Sequence, residues 1–193
     1  GEKRDKAIRA FRRTRIPFTY EPLRKSLNDV LRTVGSLGLE MPPVSWHSIE
    51  KTLIDRCTRS TDEKTYNSAK AKALYDFREQ CDIQFRHHQI SSSLILPNDS
   101  RITFWSDIIA IIDGRPLLPF FDLRSASGLQ SERSQQIALS IQLRFAIEQD
   151  ADLDQGGAEP AIIRVPGSKK DGFTVQLIDS FHKPFLSMDE IQN

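Results

Sequence analysis

Two acidic residues, Asp107 and Asp122, lie on either side of Ile112-Asp113-Gly114-Arg115. Asp-Gly between apolar runs is a strong hairpin signal, because both central residues of a type I′ turn need a positive φ. The flanking runs, 102–112 (ITFWSDIIAII) and 116–122 (PLLPFFD), then become the two arms. With a two-residue turn, Ile112 faces Arg115 and Asp107 falls opposite Phe120. Side chains alternate between faces along a strand, so Asp122 and Arg124 share the face of Asp107, with Asp122 its diagonal neighbour. Two carboxylates meeting on a rigid sheet are suited to holding a hard divalent cation against a phosphate.

The elements that must position this pair carry one conflict. Pro119 falls at a hydrogen-bonded position that it cannot fill, which predicts a bulge or slip nearby, and a slip of one residue would move Asp122 to the other face. A plainer alternative stays open, in which Asp107 only caps or forms an ion pair within the sheet. Both arms are apolar at nearly every position, as expected of central strands covered on two faces. Before them, residues 21–37, 46–56 and 64–81 show helical spacing, with Ser45 a suitable N-cap. A strand over 84–96 follows, and beyond the hairpin a broadly apolar helix over 131–149. An acidic loop (150–159) and two strands, 161–165 and 173–178, close the chain. The order ααα-βββ-α-ββ predicts an α/β fold, a mixed central sheet flanked by helices.

The 193 residues suffice for one substantial core. We expect a basic N-terminal segment over 1–15 and a single domain over 16–193, cut from a longer protein. Twenty-seven basic against 26 acidic residues leave a net charge of +1, so any pull on nucleic acid must be local. Residues 1–15 supply a local source, with seven Lys or Arg that include Arg12 and Arg13. A solvated helix or a frayed terminus would account for the same charges. Cys57 and Cys81 show no C-x-x-C spacing, no apolar stretch reaches the roughly 18 residues of a membrane span, and no signal-peptide pattern is present. These features predict a cytoplasmic protein without a membrane anchor.

The order of elements, with Trp46-His47-Ser48-Ile49-Glu50, Phe104-Trp105-Ser106-Asp107, Phe121-Asp122-Leu123-Arg124-Ser125 and Ser134-Gln135-Gln136, resembles the RecB-type branch of the PD-(D/E)XK nucleases over roughly residues 18 to 180. That resemblance implies a restriction-endonuclease-like fold and Mg²⁺ or Mn²⁺ held by Asp107 and Asp122, with His47 completing the metal shell. It also implies that Gln135 or Gln136 contacts DNA and that the chain works beside other domains of a larger machine such as a helicase. The chain departs from the pattern at several places. Arg124 stands where the family has lysine, no tyrosine lies four residues after either glutamine, and the first strand has no obvious glutamate. Guanidinium stays protonated and grips phosphate as a planar fork, so Arg124 would clamp the scissile phosphate and is a poor general base.

Other residues carry less. His87 and His88 are adjacent on a strand and point to opposite faces, so they cannot easily share one ion. Phe104 and Trp105 read as core, and Lys169-Lys170 as a solvated turn. The expectation from sequence is therefore a metal-dependent nuclease domain that hydrolyses DNA in preference to RNA, a choice the residues themselves leave open, with Asp107, Asp122 and Arg124 at the reacting phosphate. Its alternative is a catalytically inactive nuclease-like domain that serves as a nucleic-acid-binding or protein-interaction scaffold, which Arg124 and the missing tyrosine favour.

Overall fold

The computed structural model describes residues 19–35, 44–90, 94–95, 101–102, 106–124, 128–180 and 184–192. A five-stranded mixed sheet runs through its centre in the order β1-β4-β5-β6-β9: Ile83–His87, Ile108–Ile112, Arg115–Asp122, Glu159–Arg164 and Gln176–Asp179. Neighbours are antiparallel except β5 and β6, which are parallel. The strand pairs Leu94–Ile95 with Arg101–Ile102 (β2, β3) and Gly167–Ser168 with Gly172–Phe173 (β7, β8) form separate small ladders.

Helices cover both faces. Leu117, Phe121, Ile163 and Val165 pack on one side against α1 (Glu21–Arg24), α2 (Leu27–Leu31), α3 (Trp46–Arg56) and α4 (Thr61–Gln80). The alternate residues Leu118, Phe120 and Ile162 meet α5 (Glu132–Gln142), the π-helical turn Leu143–Ile147 and α6 (Ala151–Gln155) on the other. A short helix α7 (Met188–Gln192) ends the described chain. The expected α/β class with a mixed sheet is what the chain adopts.

The hairpin forms as its Asp-Gly pair predicts. Asp113 and Gly114 both take positive φ, 51° and 77°, and Ile112 lies opposite Arg115. The β4–β5 ladder ends at Ala110 and Leu117, so Pro119 never has to donate to it and the expected bulge is not needed. Pro119 instead lies beside Ala161 of β6. Helix α3 spans 46–56 as expected, and the Ser45 hydroxyl accepts the Ser48 N–H at 3.3 Å.

Several expected elements differ; the strand expected over 84–96 forms only to His87. The helix over 21–37 is two short helices, and the second stops where Arg32 enters the left-handed region at φ 49°. The chain leaves the helix there to border strand β1, with the Val34 N–H donating to the Phe85 carbonyl and the His87 N–H to the Val34 carbonyl. Helix α4 begins earlier than expected and buries Glu63, Asn67, Lys70, Ala71 and Leu74, a stripe that is more than half polar. Its polar members bind the entering chain. Asn67 accepts the Leu23 N–H at 3.1 Å and donates to the Thr19 carbonyl at 2.8 Å, while Glu63 accepts the N–H groups of Thr19 and Arg59 at 3.1 and 2.9 Å. Burial alone would raise the Glu63 pKa, but these backbone donors bring it below the ordinary carboxylate value. Finally, the acidic loop contains helix α6, whose N-cap Asp150 accepts the N–H groups of Asp152 and Leu153.

Candidate functional site

Strands β5 and β6 end side by side, and their register places Asp122 next to Arg164 on the face toward α5. In open α/β sheets the carboxyl ends of parallel strands are the usual position for a functional crevice. Asp122 is only 1% exposed. Its Oδ1 accepts from Arg124 Nε at 2.9 Å and from the Arg124 backbone N–H at 3.4 Å. Oδ2 accepts the Leu129 N–H at 2.6 Å and lies 3.5 Å from Arg164 Nε. Close approach of the loop requires Gly128, since a Cβ there would stand 2.2 Å from Oδ2.

From the opposite face, Lys70 completes the cluster. It is fully buried, its Nζ donates to the Val165 carbonyl, and it lies 5.3 and 4.6 Å from the ring centroids of Tyr20 and Phe173. Burial drives its pKa down from 10.5 to about 8, although the Asp122 charge pulls it back upward. Arg124 and Arg164 thus flank one carboxylate, and the Lys70 charge acts on it from across the sheet. Arg164 is 9% exposed and its Nε makes no hydrogen bond, whereas the Arg124 side chain is 49% exposed.

This arrangement is an ion-pair network and fits a metal poorly. An ionised carboxylate offers about four lone-pair directions, and on Asp122 two face Arg124, one the Leu129 N–H and one Arg164. A divalent cation would also meet the charges of two arginines. The other residues expected at the site do not join it. Asp107 lies outside β4, is exposed, and accepts the Ile90 N–H at 3.2 Å, sharing no hydrogen-bond partner with Asp122. The cause is the early end of the β4–β5 ladder, which leaves Asp107 in the loop beside β1 rather than on a paired strand. It borders an open cleft with Arg24, Asn28 and His87.

His47 is exposed on the first turn of α3, and among the described residues no group of three or more His, Cys, Asp or Glu gathers as a metal shell would. Gln135 is turned inward, its Nε2 donating to the Leu129 carbonyl at 3.0 Å, so it supports the loop that holds Asp122; Gln136 is half-buried. Arg12 and Arg13 lie outside the described residues. His88 pairs with Asp150 at 3.1 Å, away from the cluster. Lys70 and Arg164 were missed, because a lysine in a lysine-rich helix and an arginine closing an apolar strand look solvent-facing. Two signals were present: Lys70 keeps helical spacing with Asn67, Ala71 and Leu74, and Arg164 follows Ile162 at the strand's period of two.

Comparison with known proteins shows the family. The family model described as "Sliding clamp-binding bacterial toxin SocB" matches residues 1–193. A protein of Caulobacter vibrioides (strain NA1000 / CB15N), described as "DNA replication inhibitor toxin SocB", is 27% identical over 191 residues, which cover 98% of this chain and 77% of that protein. No solved structure matches the chain. The end-to-end match overturns the resemblance to PD-(D/E)XK nucleases and with it the reading as a hydrolase of DNA. That resemblance rested on the order of elements and on short strings such as Asp-x-Arg, and an order shared by many α/β domains does not identify a family. The chain belongs to the SocB family of sliding clamp-binding bacterial toxins.

Proposed function

We propose that this protein binds a bacterial sliding clamp and, by occupying it, inhibits DNA replication. The observation that carries this reading is the family match over the whole chain, supported by the likeness to the Caulobacter vibrioides toxin over nearly its full extent. Of the two readings drawn from sequence, the protein-interaction one is retained. The partner is a protein that acts on DNA, rather than DNA itself, and the place of action is the cytoplasm, where replication occurs. Among the described residues no helix is long and apolar enough to cross a membrane. A rigid sheet covered on both faces suits such a role, because a docking surface presented on a fixed scaffold loses little conformational freedom on binding.

The test uses the sliding clamp encoded in the same genome, immobilised and titrated with the intact chain. Saturable binding in the micromolar range or tighter is expected, together with dose-dependent arrest of clamp-dependent DNA synthesis on a primed template. If no binding is seen up to solubility-limited concentrations, with a folded protein by circular dichroism, the proposal fails.

A further inference from the structure

We infer that Arg124 is a preorganised reader of a carboxylate on the protein partner, held in place by Asp122. The inference rests on the clamp-binding reading above and names the contact through which binding is made selective.

The guanidinium is held at one end and open at the other. Arg124 uses its Nε to meet Asp122 Oδ1 at 2.9 Å, yet 49% of its side chain is exposed. No other ion pair or hydrogen bond engages its terminal nitrogens among the described residues. A flexible surface arginine must be ordered when it binds, whereas one fixed at Nε has already lost most of that freedom, and its two terminal N–H groups keep the planar geometry that meets a carboxylate twice.

Charge supports the same conclusion. Asp122 carries one negative charge; Arg164 of β6 lies 3.5 Å from it, and the Lys70 charge acts on it from α4. The carboxylate that anchors Arg124 is therefore shared with buried cations, and Arg124 is left incompletely neutralised at the surface. A buried arginine whose Nε finds no hydrogen bond is costly, and a network with surplus positive charge is relieved by an anion arriving at its exposed member. The exposed end of Arg124 offers that anion a planar fork, and because the partner proposed above is a protein, the anion is an acidic side chain. Arg124 lies two residues past the end of β5 and is tied back to that strand end through Asp122, which gives the contact directional precision.

The test compares Arg124→Ala, Arg124→Lys and Arg124→Glu with the parent chain for binding to the clamp encoded in the same genome, after circular dichroism and thermal melts confirm equal folding. Arg124→Ala is expected to weaken binding by about tenfold to a hundredfold and Arg124→Glu by more. Arg124→Lys keeps the charge and should recover only part of the loss, because the fork is gone. The parent should lose affinity as salt rises from 50 to roughly 500 mM, and Arg124→Ala should lose less. If the parent binds and all three variants bind equally well, the inference is overturned while the clamp reading stands. Full recovery by Arg124→Lys overturns the planar-fork claim. Failure of the parent to bind overturns the clamp reading itself, and the inference with it.

Discussion

Replacing Lys70 by methionine should change how stability depends on pH more than it changes stability itself. Lysine and methionine have similar length, so packing against Tyr20 and Phe173 is largely kept while the charge and the bond to the Val165 carbonyl are removed. In the folded chain the Lys70 pKa falls from 10.5 to about 8. At about 1.4 kcal/mol per unit, that drop amounts to about 3 kcal/mol. Its sign follows from proton binding. Between pH 8 and 10.5 the unfolded chain takes up a proton that the folded chain refuses, so the contribution is fully present above pH 10.5 and is lost as pH falls to about 8. Against this, the variant leaves the Val165 carbonyl without its donor, a cost of about 1 to 3 kcal/mol at any pH. The two effects oppose each other at pH 7, where parent and variant should be of similar stability. At pH 10 the parent should be the more stable, by about 2 kcal/mol relative to the pH 7 comparison. Urea unfolding of both proteins at pH 7, 8, 9 and 10 measures the difference, with other titrating groups cancelling. A difference that stays constant across that range would refute the assignment of a depressed Lys70.

Three further outcomes follow from contacts already described. Gly128→Ala places a methyl group against Asp122 Oδ2, at 2.2 Å unless the loop moves, and should lose about 1 to 3 kcal/mol in chemical denaturation; an unchanged midpoint would show that the loop yields freely. Asp150→Ala removes the cap of α6 and the partner of His88 and should cost about 1 to 2 kcal/mol at neutral pH. Burial would raise the Asp150 pKa, but His88 and the capping N–H groups hold it below 3.8, so this stability is present above that value and disappears as pH falls through the lowered one; a variant that loses stability in parallel with the parent on acidification counts against it. Gly114→Ala forces a side chain into φ 77° at the hairpin turn and should lower stability by about 1 kcal/mol, and a melting temperature equal to the parent's would contradict the turn assignment.

Local signals were read well, and signals that depend on pairing across the chain were not. Asp113-Gly114 announces its own turn, Ser45 its own cap, and the apolar runs of β4 and β5 their burial, since each effect acts within a few residues. Asp107 was misplaced because register was extrapolated past the point where β4 and β5 stop pairing. The long helix expected over 131–149 holds its regular form only to Gln142 and then widens into a π-helical turn, which periodicity alone does not distinguish. Helix α4 shows the general difficulty. Its buried face carries Glu63, Asn67 and Lys70, which look polar in sequence and are internal because their partners arrive from Thr19, Leu23 and Val165. Family membership was carried by likeness along the whole chain rather than by any short motif, so the Asp-x-Arg string pointed elsewhere.

The parallel junction of β5 with β6 has a kinetic consequence. Its two halves are separated by everything from Asp122 to Glu159, including α5, whereas the β4–β5 hairpin closes over two residues. Closing a long segment costs more chain entropy before any contact rewards it, so the hairpin should assemble early and the junction late. During that interval β5, six of whose eight residues are buried in the folded chain, has one bare edge, the condition under which nascent chains stick to one another. Pulse-labelled hydrogen exchange during refolding should therefore protect the amide of Ala110 ahead of that of Ile163, whose N–H lies on the same side of β6 as the Val165 N–H that donates to the Asp122 carbonyl, and simultaneous protection would mean that the sheet condenses as a single unit.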